Sequence, residues 1–563
     1  MSVNTSIKDQ FRSNRSKIYG GLILFVLSFF TILPILVTIG ISFFADGIDL
    51  VSEFTLNNWL EAGASSEIIF NTVVFAIGSA TLTTVIAVFI AWAIARTNIP
   101  FGRVYYYSIF SMIFLPPIVW ESVWIRLLGR NGLYTALLPF NFDVYSLPGM
   151  MVVQGVFLVP LCLIILMPMF ANVDNSLEEA SRVSGGKILY TTRKITLPLL
   201  KPGILAAYLL TLVITLGSLR VPLMIGQPEG ISVLALQIYN GVNEFPIEYG
   251  AAFVDGTILI LVALPVFYLY KRELGKTGKF ETVSGSAFKQ APIELSRGPR
   301  YALSGFIAFL LTIMAIIPVV TMFYGSISPY PITIPALFNG EHPGFTAQPY
   351  LDVLYNRSTW SAAWNSLLAA GIASVVVVAA AVGISWIVNK SDLAYKRTID
   401  YLSFLPLAMT SVSLALGFIV LFLVIFPIGI YGTIAIVILA YITRFLPATI
   451  RVVAPSVQQI QNELLEAATI SGAGRVRRVR TILMPLIIAT IHAIATYRFA
   501  FLFKELPISL LLQSANVPLL APFLFELGVQ GNYPQLSAMG ILIAGFLLVV
   551  TIAIHQIGSS NLS

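Results

Sequence analysis

The residues that could do nucleophilic, redox or metal chemistry are few and widely spaced in this chain. A single cysteine, Cys162, excludes an intrachain disulfide, a cysteine-ligated zinc site and a dithiol redox pair. Because Cys162 stands in an apolar run, we expect it to be a small buried side chain. The histidines His342, His492 and His555 are too far apart in sequence to form a local metal motif. We therefore expect no metal site.

One tripeptide, Gly275–Thr277 (Gly-Lys-Thr), is similar to the end of a phosphate-binding loop. That motif needs another glycine five residues earlier, where this chain has Tyr270, and it needs a preceding strand. The tripeptide instead lies in a polar segment. We therefore predict that the chain has no catalytic residue, binds no cofactor and holds no ATP site of its own.

Charged side chains within apolar segments form a second group of candidates. A charge at membrane depth costs roughly 2.5–3.5 kcal/mol, so it usually faces a polar cavity or a partner. The alternative is that the long side chains snorkel to the membrane interface and have no further role. The candidates for a pore or an outer gate are Glu121, Arg220, Arg498, Lys504 and Glu505, and Arg126 belongs to the same group.

A third group of residues occurs twice with the same spacing. In both copies a glycine follows a glutamate by six positions, and a proline follows that glycine by thirteen positions. The glycine permits a sharp turn after a short amphipathic helix, and the proline suits the first turn of the next helix. We interpret each copy as a rigid knob that transmits force from a soluble partner; the alternative is an ordinary basic loop. The matched residues are Glu179, Ala180, Gly185 and Pro198 in the first copy and Glu466, Ala467, Ala468, Gly472 and Pro485 in the second.

Membrane helices must position these residues. The chain has 563 residues, of which 57% are hydrophobic and 10% charged, whereas a soluble globular protein carries roughly 25% charged residues. A helix needs about 20 residues to cross the hydrocarbon core. We therefore predict an all-α polytopic membrane protein with twelve segments, at approximately 18–44, 68–95, 104–127, 147–170, 203–226, 250–270, 301–325, 361–388, 399–424, 430–452, 486–512 and 536–556.

The basic residues fix the expected orientation. With the amino terminus in the cytoplasm, 26 of the 33 Lys and Arg residues fall on the cytoplasmic side, and the outer loop 45–67 has none. Both termini are then cytoplasmic. The net charge of +7 thus reflects topology, and we expect no nucleic-acid partner.

The chain is also an internal repeat. The two loop motifs are 287 residues apart, which is close to half the chain, so each half has six helices in the same orientation. We predict a first half at 1–285 with its loop at 172–201, and a second half at 286–563 with its loop at 455–485. The polar segment 271–300 is the expected cytoplasmic linker.

The doubled motif resembles the coupling-loop motif of binding-protein-dependent ABC importer permeases, in which Glu-Ala-Ala is followed by a glycine and then by Ile-x-x-Pro. The resemblance covers essentially the whole chain, although Ser181 replaces the second alanine of the first copy. The fused layout is similar to the ferric-iron and thiamine branch. Lys504–Pro507 and Val221–Gly226 also resemble stretches of that branch, whereas Arg220 stands where the branch often has an acidic residue.

The resemblance implies a type I ABC importer permease in the bacterial plasma (inner) membrane. It implies two copies of an ABC ATPase subunit, which bind ATP and Mg²⁺ and dock on the two loops, and an extracytoplasmic substrate-binding protein. We expect iron(III) as the substrate, with thiamine, an aminophosphonate or a polyamine as alternatives.

Two other classes compete with this interpretation. An ion-coupled secondary transporter could also have twelve helices in a parallel repeat, but it predicts acidic sites in several helices, and Glu121 is the clearest deep acid here, with Asp255 near a helix end. It also gives no reason for the paired loops. A membrane-bound enzyme is disfavoured because no His, Asp and Glu cluster occurs at helical spacing.

The topology also predicts a contact between the halves. Segments five and eleven both run outwards, so their far ends, near 218–220 and 504–505, should lie at corresponding places beside the axis that relates the halves. We expect Arg220 and Glu505 to pair there and to close an outer gate.

Overall fold

The computed structural model describes residues 2–44, 53–61, 66–130, 132–133, 142–173, 175–277, 293–330, 339, 344–391, 393–472 and 474–560. Over these residues the chain forms helices and turns, and its β-pairing is limited to three isolated bridges. The all-α class is therefore confirmed. Cys162 is fully buried in a helix, as expected. His342 lies outside the described residues.

Among the described residues, ten helices are long and apolar enough to cross a membrane, and two bent helix pairs bring the number of spans to twelve. In chain order the spans are α1 (Ser16–Ile41), α2 (Ser66–Arg96), α3 (Gly102–Phe114 with Pro117–Leu128), α4 (Leu147–Ala171), α5 (Ile188–Leu216), α6 (Tyr249–Glu273), α7 (Arg297–Ile327), α8 (Arg357–Lys390), α9 (Lys396–Ala408 with Ser411–Ile425), α10 (Ile434–Gln458), α11 (Val479–Leu502) and α12 (Tyr533–Ile554).

The third span of each half is bent, which the sequence pattern did not predict. The two arms of α3 meet at 106° and those of α9 at 104°. In α3 the backbone becomes extended at Leu115 and Pro116, because a residue before proline is disfavoured in the helical region. In α9 the break falls at Met409, and the Thr410 hydroxyl caps the second arm by accepting a bond from the Ser413 amide. The two breaks are equivalent positions of the repeat.

The predicted bounds of the fifth and eleventh segments are wrong at both ends. α5 and α11 begin earlier than expected, because polar residues continue each helix beyond its apolar part, through the π-helical turns Thr192–Thr196 and Val479–Leu483. Pro198 and Pro485 stand at the start of the regular α-helix that follows, where a wide turn tolerates the missing amide. Both spans also end earlier, at Leu216 and Leu502, and the apolar residues beyond belong to separate short turns.

The two halves are interleaved. α1 of the first half packs against both arms of α9, and α7 of the second half packs against the second arm of α3. One continuous core of buried apolar residues includes side chains from both halves. Beside the linker, the Ile293 amide donates to the Arg96 carbonyl at 2.8 Å. The halves therefore share two seams, each formed by a bent span and a peripheral helix.

Candidate functional site

Two short helices, Asn175–Val183 and Asn462–Ile470, form the tips of the duplicated loops. Glu179 and Glu466 are exposed on them, and neither carboxylate bonds to another described residue. Both glutamates are therefore free to contact another protein. The neighbouring alanines of the motif are partly or fully exposed as well: Ala180, Ala467 and Ala468.

Apolar side chains beside these glutamates are exposed to matching degrees in the two loops. Leu177 and Leu464 are each 47% exposed. Val183 and Ile470 are 89% and 88% exposed. Both pairs are equivalent positions of the repeat, 287 residues apart. Apolar residues exposed together on a polar surface are typical of a protein-binding surface.

The first loop is attached to its half by a buried acid, Glu178, which is 3% exposed. Its carboxylate forms an ion pair with Arg96 at the end of α2 and accepts a hydrogen bond of 2.6 Å from the Thr196 hydroxyl. Arg96 also donates to the Val173 carbonyl at 3.4 Å. The loop helix is thereby fixed to α2 and to the start of α5.

The second loop is attached differently. Leu465 and Leu483, at the positions equivalent to the buried acid and its hydroxyl donor, are 7% and 0% exposed. Lys390 replaces the arginine and donates to the Ile460 carbonyl at 2.6 Å. Apolar side chains thus occupy the positions of the buried acid and its hydroxyl donor, and the charged hydrogen bond from Lys390 lies beside them.

The sequence pattern singled out Glu179 in the first loop and missed the buried Glu178 beside it. The available signal was the repeat itself, because Leu465 stands at the equivalent position and a leucine there marks a buried site. No comparable signal pointed to the buried Arg96, because it is far from Glu178 along the chain and the sequence does not reveal that the two residues are in contact.

Each loop helix is followed, two residues after its end, by a glycine in the left-handed region. Gly185 has φ +83° and Gly472 has φ +78°. An ideal Cβ at either position would have no heavy atom within 4 Å, so the backbone conformation alone requires glycine. The predicted sharp turn is present in both copies.

Two candidate charges of the first half, Arg220 and Glu121, form a buried ion pair. Arg220, just beyond the end of α5, donates to Glu121 on the second arm of α3 at 2.8 Å. Glu121 is fully buried, and the Arg220 guanidinium lies 4.5 Å from the centre of the Phe157 ring. The expected pair between Arg220 and Glu505 is therefore wrong in this structure, because Arg220 finds a carboxylate in its own half.

Glu505 acts instead as a helix cap. Its carboxylate accepts bonds from the amides of Ile508, at 3.0 Å, and Ser509, at 3.3 Å, which begin the short helix after α11. A carboxylate at a helix amino terminus is favourable because it faces unpaired amides. Arg498 is buried against the rings of Phe445 and Tyr497 and forms no ion pair with Glu505 among the described residues.

Lys504 makes the contact between the halves that had been expected of Glu505. Its ammonium donates to the carbonyls of Ile113 and, at 3.1 Å, Leu115, which are freed where α3 bends. At the equivalent place Gly217 approaches the bend of α9 so closely that an ideal Cβ would lie 2.5 Å from Thr410 Cβ. The break after each fifth span thus packs against the bend of the other half's third span.

Comparison with known proteins matches both halves to one family. The profile described as "Binding-protein-dependent transport system inner membrane component" matches residues 83–272 and 376–558, which together are more than half of the chain. Each matched part contains a bent span, a loop helix and the break after the fifth span.

Three proteins named as ferric or Fe(3+) transport permeases are similar to large parts of this chain. A Haemophilus influenzae protein provisionally named ferric transport system permease protein FbpB 1 is 27% identical over 71% of this chain, and the match spans 63% of that relative's length. The Actinobacillus pleuropneumoniae ferric transport system permease protein FbpB is 24% identical over 94% of this chain and 76% of its own length. The Fe(3+)-transport system permease protein FbpB 2 of Haemophilus influenzae is 23% identical over 69% of this chain and 72% of its own length.

Proposed function

Because the chain belongs to the family of binding-protein-dependent transport system inner membrane components, we propose that it forms the complete translocation pore of an ATP-driven importer. The observation that carries this proposal is the pair of loop helices. Each presents an exposed glutamate, without a bond to another described side chain, between two exposed apolar residues at equivalent positions of the repeat. One chain thus offers two matched docking surfaces.

In this proposal each loop helix receives one copy of an ABC ATPase subunit. ATP and Mg²⁺ are bound and hydrolysed in those partners. Closure of the ATPase dimer moves both loop helices, and the anchors at Glu178 and Lys390 carry that movement into the spans. Both termini lie in the cytoplasm, and an extracytoplasmic binding protein delivers the solute to the opposite side.

The contacts beside the axis act as the gate. Lys504 and Gly217 each join a fifth-span break to the bend of the other half's third span. Rotation of the halves must separate these contacts. This is a two-state change in which nucleotide and the loaded binding protein favour the open state.

The proposed solute is iron(III), because the ferric permeases named above match both halves. Ion-gradient coupling is the competing proposal. Glu121 is paired with Arg220 and is not available for it, whereas Asp255 on α6 is 2% exposed and its Oδ1 has no hydrogen-bond partner among the described residues. We favour the importer because an ion-coupled transporter gives no reason for the two matched loop helices.

Co-purification tests the docking surfaces. The tagged chain, expressed with its ATPase subunit and extracted in detergent, should retain the ATPase, and the Glu179→Lys, Glu466→Lys double variant should lose it. The matched control is Glu244→Lys with Glu526→Lys, which changes two exposed acids of the short helical segments after α5 and α11. Equal ATPase recovery from the loop variant and the control would contradict the proposal.

A further inference from the structure

Arg126 is a buried cation that takes part neither in the attachment of the loop helices nor in the contacts of Lys504 and Gly217 with the bent spans. It lies on the second arm of α3, two residues before its end, and is 7% exposed. All three guanidinium nitrogens are buried, and none has a hydrogen-bond partner among the described residues. Such a group costs several kcal/mol when it has no counter-charge.

The surroundings of Arg126 come from the other half of the repeat. An ideal Cβ on Gly325 of α7 would lie 2.1 Å from Nη1 of Arg126 and 2.9 Å from the hydroxyl of Ser537 on α12. Only glycine lets the guanidinium approach the helix this closely. The Tyr324 hydroxyl is also buried and has no hydrogen-bond partner among the described residues, and both Tyr324 and Tyr533 lie within electrostatic range of the guanidinium. Hydrogen-bond donors from three spans therefore converge.

The other seam of the molecule shows that packing does not require a cation here. The position equivalent to Arg126 in the second half is Val420, which is fully buried. That seam is closed by aromatic side chains of α1 against α9, including Phe30 with Phe418 and Phe29 with Phe422. Because apolar side chains are sufficient to pack α1 against α9, packing alone does not explain the arginine between α3 and α7.

We propose that Arg126, with the hydroxyls of Tyr324 and Ser537, forms a binding site for one oxyanion group of the phosphate type. A guanidinium offers two parallel donors that match two oxygens of such a group, and hydroxyls supply further donors. The group comes either from a free anion or from a phospholipid headgroup. The seam lies close to the lipid-facing surface, since Phe323 beside Tyr324 is 56% exposed.

Thermal unfolding of the purified, delipidated full-length chain tests this site. Inorganic phosphate, added at constant ionic strength against chloride, is one probe. Dioleoylphosphatidylglycerol in detergent is the other, with dioleoylglycerol as the phosphate-free control. A saturable rise in the Tm with free phosphate identifies a free anion, and a rise with the phospholipid alone identifies a headgroup. No rise with either probe overturns the proposal.

Variants separate the site from general charge effects. Arg126→Val, which copies the other seam, should show a higher Tm than the ligand-free wild type and no response to either probe. Arg130→Ala, which removes an exposed arginine nearby, should respond like the wild type. Tyr324→Phe and Ser537→Ala keep the packing and should each raise the half-saturating probe concentration several-fold. Wild-type response curves in Arg126→Val, or in both hydroxyl variants, overturn the proposal.

Discussion

The two loop helices are attached to their halves by different side chains, although their exposed faces match. In the first loop a carboxylate, a guanidinium and a hydroxyl are buried together around Glu178. In the second loop Leu465 and Leu483 occupy the equivalent buried positions. Removing one member of a buried ion pair costs roughly 3 kcal/mol or more, whereas a well-packed apolar pair needs no counter-charge. The first anchor therefore tolerates single replacements poorly.

Glu178→Leu tests this difference at the residue scale. We expect a lower Tm and reduced coupling of ATP hydrolysis to uptake, because Arg96 loses its carboxylate while it stays buried. The triple variant Arg96→Lys, Glu178→Leu, Thr196→Leu copies the second loop and should recover most of both. Thermal unfolding and ATPase-coupled uptake measure the two effects. A single variant indistinguishable from the wild type, or a triple variant worse than the single one, would contradict the assignment.

The turns that end the loop helices belong to the scale of single elements. Gly185 and Gly472 have positive φ and open space around the missing Cβ. Alanine at either position should cost about 1 kcal/mol of backbone strain, which corresponds to a roughly fivefold change in the population of the correct turn. Uptake should fall in both variants. Gly474→Ala is the control, because that glycine also has open space but no positive φ. An equal loss in the control would refute the strain argument.

The bend of each third span is the element that receives the contact from the other half. Lys504→Met removes charged hydrogen bonds to the freed carbonyls of α3, each worth about 1.5–3 kcal/mol. The closed arrangement should weaken, so basal ATPase activity in proteoliposomes should rise by about tenfold or more. Lys504→Arg keeps the positive charge and should leave basal ATPase activity close to that of the wild type. Unchanged basal activity in Lys504→Met would show that the contact does not hold the halves closed.

At the scale of the whole molecule, hydropathy and the repeat predicted twelve spans in two halves. Both the length of each apolar segment and the 287-residue offset between the motifs can be read directly from the sequence. The bends at Leu115 and Met409 could not be read from hydropathy, since the apolar run continues through them. The pairing of Arg220 with Glu121 and of Lys504 with backbone carbonyls depends on how distant spans pack. The charged residues were thus selected without their partners, and their role in a pore or an outer gate stays a prediction.

We propose that movement of both loop helices opens one pore, and ATP-dependent uptake by the reconstituted protein tests this most directly. Proteoliposomes that contain the chain with its ATPase subunit inside, and iron(III)-loaded binding protein outside, should accumulate iron only when ATP is present in the lumen. Glu179→Lys with Glu466→Lys should abolish this uptake, and the control Glu244→Lys with Glu526→Lys should keep the ATPase bound. ATP-dependent iron uptake at the wild-type rate by the double loop variant would contradict the account.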